Sequence, residues 1–351
     1  MVLRGVIDSP PDQSAALREL DAIEKTLRAL DSSGGFGAAA QYERVRDALW
    51  ELLLDAVCSP LWVRVRAAEL LNVCFTVRRE LLRVERRNAY WIRSIVSSTC
   101  QVLEDCDATE RAQAQSLFKW LAFLDNMLLA TPSDVFAKVF RHSMYAGMLT
   151  KMLRLLSNCS TKVFAATTMC IASFYAHERR VFDQSEVTGD SKQQQPQIKS
   201  VLVDQVLAEH REGMQYFGGA LLHVINSCGY PCPENRVVHL WNSLQLFGDI
   251  LAHPQASELV FVNDFKIVID ILIRECSDLP PDDMTRCEYL TLFDRVLGSP
   301  LFLRAHLYRK KEILRLLEAL LATGAEEDSP LPPHAVTQIN ELLIQYIDRL
   351  D

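Results

Sequence analysis

Several familiar signatures are missing from this sequence. No Gly-x-Ser-x-Gly elbow occurs, no Gly-x-x-x-x-Gly-Lys loop, and no Gly-x-Gly-x-x-Gly after a strand. Acyl transfer, nucleotide hydrolysis and dinucleotide binding therefore lose their usual markers. His177-Glu178 begins a metalloprotease pattern, but the second histidine never arrives. Basic charge is not in excess: 45 acidic side chains face 37 basic ones, a net charge of −8. That balance argues against a general nucleic-acid or anionic-membrane binder. The longest uncharged run, 213–233, is interrupted by glycines, His223 and Asn226, and is too polar to span a bilayer. The first residues, MVLRGVIDSPPD, carry no long apolar core of a secretory signal. Strand-type alternation is almost absent.

What is present is helical periodicity. Breaks recur at Ser59-Pro60, Thr131-Pro132, Gly229 to Pro233, His253-Pro254, Leu279-Pro280-Pro281 and Gly298-Ser299-Pro300. Between them lie about a dozen helices, and so many short-linked helices stack most readily as hairpins, each burying its apolar face on its neighbours. No strict repeat length is found, so the expected fold is all-α, an irregular helical array of the armadillo or HEAT kind. It is expected to form one domain over 1–351, with a flexible polar loop at 183–197. One long helix is expected from Ile198 to about Asn226, and another from Phe302 to Leu321. In the segment from Val63, Ala67, Leu70 and Leu71 should point inward, and Arg64 and Arg66 outward. Six of the ten cysteines sit inside apolar helical patterns, where a free thiol acts as a small core residue. This usage fits a reducing, cytosolic compartment rather than a disulfide framework.

The stretch LVFVNDFKIVIDILIRECSDLP, from Leu259 to Pro280, is the helix around which the rest of the chain is expected to be built, because its apolar residues outnumber its polar ones and do not keep to one side. Phe261, Phe265, Val268, Leu272 and Cys276 share one face. Asn263 and Asp264 offer cap oxygens at its start. Polar residues form a narrow stripe of Asn263, Lys266, Asp270, Arg274 and Ser277. Asp270 and Arg274 have the favourable (i, i+4) spacing for an ion pair. A second cluster, Arg304, His306, Arg309, Lys310, Lys311 and Arg315, is basic. Each cluster reads either as a solvated face or as a strip kept for a partner.

The run VNDFKIVIDILIRECSDLP, followed by Tyr289-Leu290 and then by HLYRKKEI from His306 to Ile313, resembles the leucine-rich domain of the WISH/DIP family. That family includes the NCK-interacting protein with an SH3 domain and the shorter Dip-type proteins. The resemblance in motif covers 260–320. It implies an armadillo-like array, and a protein that binds the actin-related protein 2/3 complex and activates it without a pre-existing filament. It further implies linear filaments that seed branched networks, at cortical actin patches in the cytoplasm and in endocytosis.

The five tryptophans all lie in apolar helical segments, and the stretch from Ile347 to Asp351 is a helix end without an acidic tryptophan-bearing tail. Direct recruitment of actin monomers is thus not expected; the filament is reached indirectly. No enzymatic step, cofactor, metal site or pocket of titratable groups is expected. The expected partner-binding residues are Lys266, Asp270, Arg274, His306, Arg309, Lys310 and Lys311. The alternative is a helical-repeat adaptor for a small GTPase or a peptide.

Overall fold

The structure is a computed structural model that describes residues 20–26, 36–54, 60–77, 82–187, 200–209, 214–324 and 331–351. Among these residues there is no β-strand, and the fold is all-α. The chain divides into two compact units, Met1–Lys199 and Ser200–Asp351.

The first unit contains α1 (Phe36–Leu54), α2 (Leu61–Val77), α3 (Tyr90–Asp105), α4 (Arg111–Ala130), α5 (Ser143–Leu155) and α6 (Thr161–Val187). The helices pair as hairpins, α1 with α2, α3 with α4 and α5 with α6, and each also packs on the next but one. Two layers result, α1-α3-α5 and α2-α4-α6, which is the arrangement of stacked helical hairpins. Aromatic side chains knit the layers together. Trp50 of α1 lies 5.1 Å from Trp91 and 5.6 Å from Phe123 between ring centroids, and Trp120 donates its indole N–H to Thr99 Oγ1 at 3.1 Å. Arg64 does not point outward: it is buried and donates to Gln101 Oε1 at 2.8 Å. Its neighbour Arg66 does reach the rim, where it pairs with Asp21, Glu24 and Glu69. His177 is a core residue. Its Nε2 lies 3.0 Å from the Leu128 carbonyl and Nδ1 2.8 Å from Ser133 Oγ, and its ring lies on Phe136. A carbonyl only accepts, so Nε2 carries the proton and Nδ1 accepts from the serine. Helix α6 continues into the stretch expected to be a polar loop. Residues 183–187 of the expected polar loop are helical, and 188–197 lie outside the described residues.

The second unit repeats the plan with α7 (Phe217–Ser227), α8 (Val237–Ala252), α9 (Val262–Asp278), α10 (Thr285–Gly298), α11 (Lys310–Gly324) and α12 (Pro333–Leu350). Here α7-α9-α11 form one layer and α8-α10-α12 the other. Helix α8 is more enclosed than α9, because α7, α10 and the turn Ala256–Leu259 all cover it. The buried face of α9 is as the spacing predicts: Phe265, Val268, Leu272 and Cys276 are all inside. Phe261 is the exception. It occupies the N-cap position and is exposed, while Asn263 and Asp264 fall in the first turn and provide no side-chain cap. The long helix expected from Ile198 is broken into a π-helical stretch, Leu202–Leu207, and α7. The helix expected over Phe302–Leu321 is also broken, into a short piece, Pro300–Arg304, and α11. Among the described residues no helix is long and apolar enough to cross a membrane.

Candidate functional site

The second of those breaks builds the site. Ser299 caps the short helix, its hydroxyl accepting from Leu301 N–H at 3.2 Å, and Pro300 takes the first turn, where its missing N–H costs nothing. At the other end Leu307 N–H bonds to the Phe302 carbonyl and His306 N–H to the Leu303 carbonyl. This pair of bonds is a Schellman motif, whose left-handed position usually belongs to glycine. Here His306 holds it at φ 56°, and Leu307 and Arg309 are also left-handed, at φ 52° and 54°. The run Ala305 to Arg309 contains no glycine or proline, so nothing in its composition signals a turn.

The strained loop delivers Tyr308 and Arg309 onto the polar stripe of α9. Arg309 Nη1 donates to Asp270 Oδ1 at 2.7 Å, and its Nη2 binds Glu312. The Tyr308 hydroxyl lies 3.5 Å from the other Asp270 oxygen, and Lys266 Nζ sits 5.5 Å from the centroid of the Tyr308 ring. Glu312 and then Asp270 hold the Arg309 guanidinium even more firmly charged than usual, and Arg309 in turn keeps the Glu312 carboxyl below its ordinary range. Lys266, Asp270 and Arg309 are therefore one cluster, with Tyr308 and Glu312 as members that sequence reasoning did not single out. Tyr308 stood within the quoted motif; Glu312 lay one turn from Arg309.

The remaining candidates are placed differently. Arg274 does not pair with Asp270. Its guanidinium turns to Glu275 Oε1 at 2.6 Å and to Asn226 of α7 at 3.0 Å. Glu275 is buried and more demanding than Asp270, which already has Arg309. Lys310 Nζ donates to the main-chain oxygen of Asp351 at 2.8 Å. His306 and Lys311 are exposed, and neither enters an ion pair among the described residues. The same elements also carry apolar side chains open to solvent, Ile267 on α9 and Leu303 before the loop. Charged, aromatic and aliphatic groups on a rigid support make a surface of the kind proteins use to bind proteins. Among the described residues no group of three or more His, Cys, Asp or Glu side chains comes together as a metal site.

A pocket is present where the sequence predicts none. About 300 Å³ lies beside Glu275, between the Tyr230–Cys232 turn, α8 and α10. Burial pushes the Cys232 thiol at its wall up to about 11, so it stays protonated and is a poor nucleophile at neutral pH.

Comparison with known families bears on this part of the chain. Residues 179–313 match the family model described as SPIN90/Ldb17, leucine-rich domain. The matched segment runs from the end of α6 through α10 and the left-handed loop to the first turn of α11, and holds all seven candidate residues. Over that segment the chain is similar to the SPIN90/Ldb17 leucine-rich domain, the domain of the SPIN90/WISH/DIP family.

Proposed function

We propose that this chain is an actin-regulating adaptor that binds the actin-related protein 2/3 complex and activates it without a pre-existing filament. The family match over 179–313 supports an adaptor role in actin regulation. The geometry adds one observation that carries the rest: three left-handed non-glycine residues fix Tyr308 and Arg309 on α9. Backbone strain of this kind persists where surrounding structure over-determines it, and it concentrates at binding and switch sites. The surface from Ile267 to Lys311 is thus preorganised, which lowers the entropic cost of binding.

Activation by such a surface is a shift of populations. The chain must bind the active arrangement of the complex more tightly than the inactive one; moving a 1:99 mixture to 99:1 takes about 5.5 kcal/mol of difference. No chemical step or cofactor enters. The resulting linear filaments would seed branched networks at cortical actin patches. A pyrene-actin assembly assay tests the reading. Acceleration that requires the complex and no filament seeds is the expected result. Absence of acceleration, with tight binding to a small GTPase or a peptide instead, would overturn it.

A further inference from the structure

The 300 Å³ hollow beside Glu275 is not part of the surface just described and has its own chemistry. Gly229 makes it possible: a Cβ there would fall 2.5 Å from Glu275 Oε1. Without one, the turn approaches closely enough for Glu275 Oε2 to accept the Tyr230 N–H at 2.7 Å. Two polar groups on the lining are left over. The Tyr289 hydroxyl and the Trp241 indole N–H are buried and have no hydrogen-bond partner, and Tyr289 is fully enclosed. A buried donor without an acceptor is costly, and such a group marks a place where something else completes the bond.

The charges of the lining are one-sided. It carries Glu275 and Asp283 and, among the described residues, no basic side chain. Three arginines lie close to it without lining it: Arg274 on Glu275, the exposed Arg236 near Cys228 and Cys232, and the buried Arg286, which donates to the Leu279 and Pro281 carbonyls. Asp283 takes a main-chain bond from Thr285 N–H at 2.8 Å and enters no ion pair among the described residues. The mouth is framed by Tyr230 and Met284, both about half exposed (48% and 53%). Aromatic and methionine side chains in such positions are typical of protein-binding surfaces.

We propose that this hollow takes an extended peptide segment of a partner protein, anchored by one arginine or lysine. Main-chain carbonyls of the segment accept from Trp241 and Tyr289. The basic side chain runs past Tyr230 to Asp283. An acidic or purely apolar segment satisfies the two donors but leaves Asp283 uncompensated. The proposal does not depend on the actin reading, because its ligand, its residues and its readout are separate.

The test uses the whole chain, labelled with 15N at tryptophan, and three acetylated and amidated pentapeptides with arginine, glutamate or alanine between alanine pairs. The arginine peptide should shift one indole signal, the one lost in Trp241→Phe, and bind about tenfold tighter than the glutamate peptide. Asp283→Asn should reduce that preference to about twofold. Tyr289→Phe should weaken the arginine peptide about fivefold while the melting temperature stays level or rises, since the lost hydroxyl had no partner. The proposal is overturned if about 5 mM of any peptide leaves the Trp241 signal in place, against the millimolar range expected of so small a ligand. Equal affinity for all three peptides would also overturn it. So would a lower melting temperature in Tyr289→Phe, which would assign the hydroxyl to a structural water.

Discussion

At the scale of single residues, the backbone of His306 is the least ordinary feature. A side chain in the left-handed region costs about 1–2 kcal/mol, and glycine escapes most of it. His306 is exposed, so His306→Gly removes strain and no packing. The variant should unfold at higher denaturant, by up to about 1 kcal/mol, with an unchanged slope of free energy against denaturant. His306→Val should lose at least as much. His177 makes a prediction of another kind. Burial lowers its pKa to about 4, against an unfolded value near 6.5. Its folded form resists protonation, so its contribution is complete above pH 6.5 and is lost as pH falls toward 4. The loss is about 3 kcal/mol. His177→Gln should flatten the stability curve in that window, as followed by denaturant titration at several pH values. Both residues show the limit of reading single positions. His177 looked like half a metal motif and is a core hydrogen-bonding residue. Arg64 looked solvated by period and is buried, because Gln101 supplies a partner that no local pattern reveals.

At the scale of elements, periodicity served well wherever a helix has one buried face. The inner residues of α9, Phe265, Val268, Leu272 and Cys276, follow from spacing alone. It failed at breaks made without breakers. The Ala305–Arg309 turn is built by tertiary contacts of Arg309 and Tyr308 with α9, and contacts across 38 or 39 residues leave no trace in local sequence. The same blindness assigned Arg274 to Asp270. The Arg309–Asp270 pair is partly exposed, at 30% and 42% of side-chain area. Its worth should therefore be modest, and a double-mutant cycle of Arg309→Met with Asp270→Asn should give a coupling of about 0.5–1 kcal/mol. A coupling near zero would mean that Glu312 alone holds Arg309. Reversing Arg309 would damage the loop itself, so it is a poor probe of partner binding.

At the scale of the whole molecule, the all-α class and the stacking of hairpins were readable from the number of helices and the shortness of their links. The division at Lys199 and Ser200 was not, since the polar stretch before it reads equally well as an insertion. Of the seven candidate residues, Lys266, Asp270 and Arg309 come together in one cluster. Partner binding is best probed by groups the fold does not use. Ile267→Asp combined with Lys311→Glu should slow seed-free actin assembly about tenfold or more, each substitution removing roughly 1 kcal/mol of binding, with the circular dichroism melt unchanged. Unaltered assembly would move the interface elsewhere. One last consequence follows from Arg274, whose guanidinium is half open to solvent while Glu275 behind it is sealed in. An anionic visitor that drew the arginine outward would strand a negative charge in the interior, a penalty of about 3–5 kcal/mol. This flank of α9 therefore vetoes acidic company from within, and any molecule that settles there must leave that pair undisturbed.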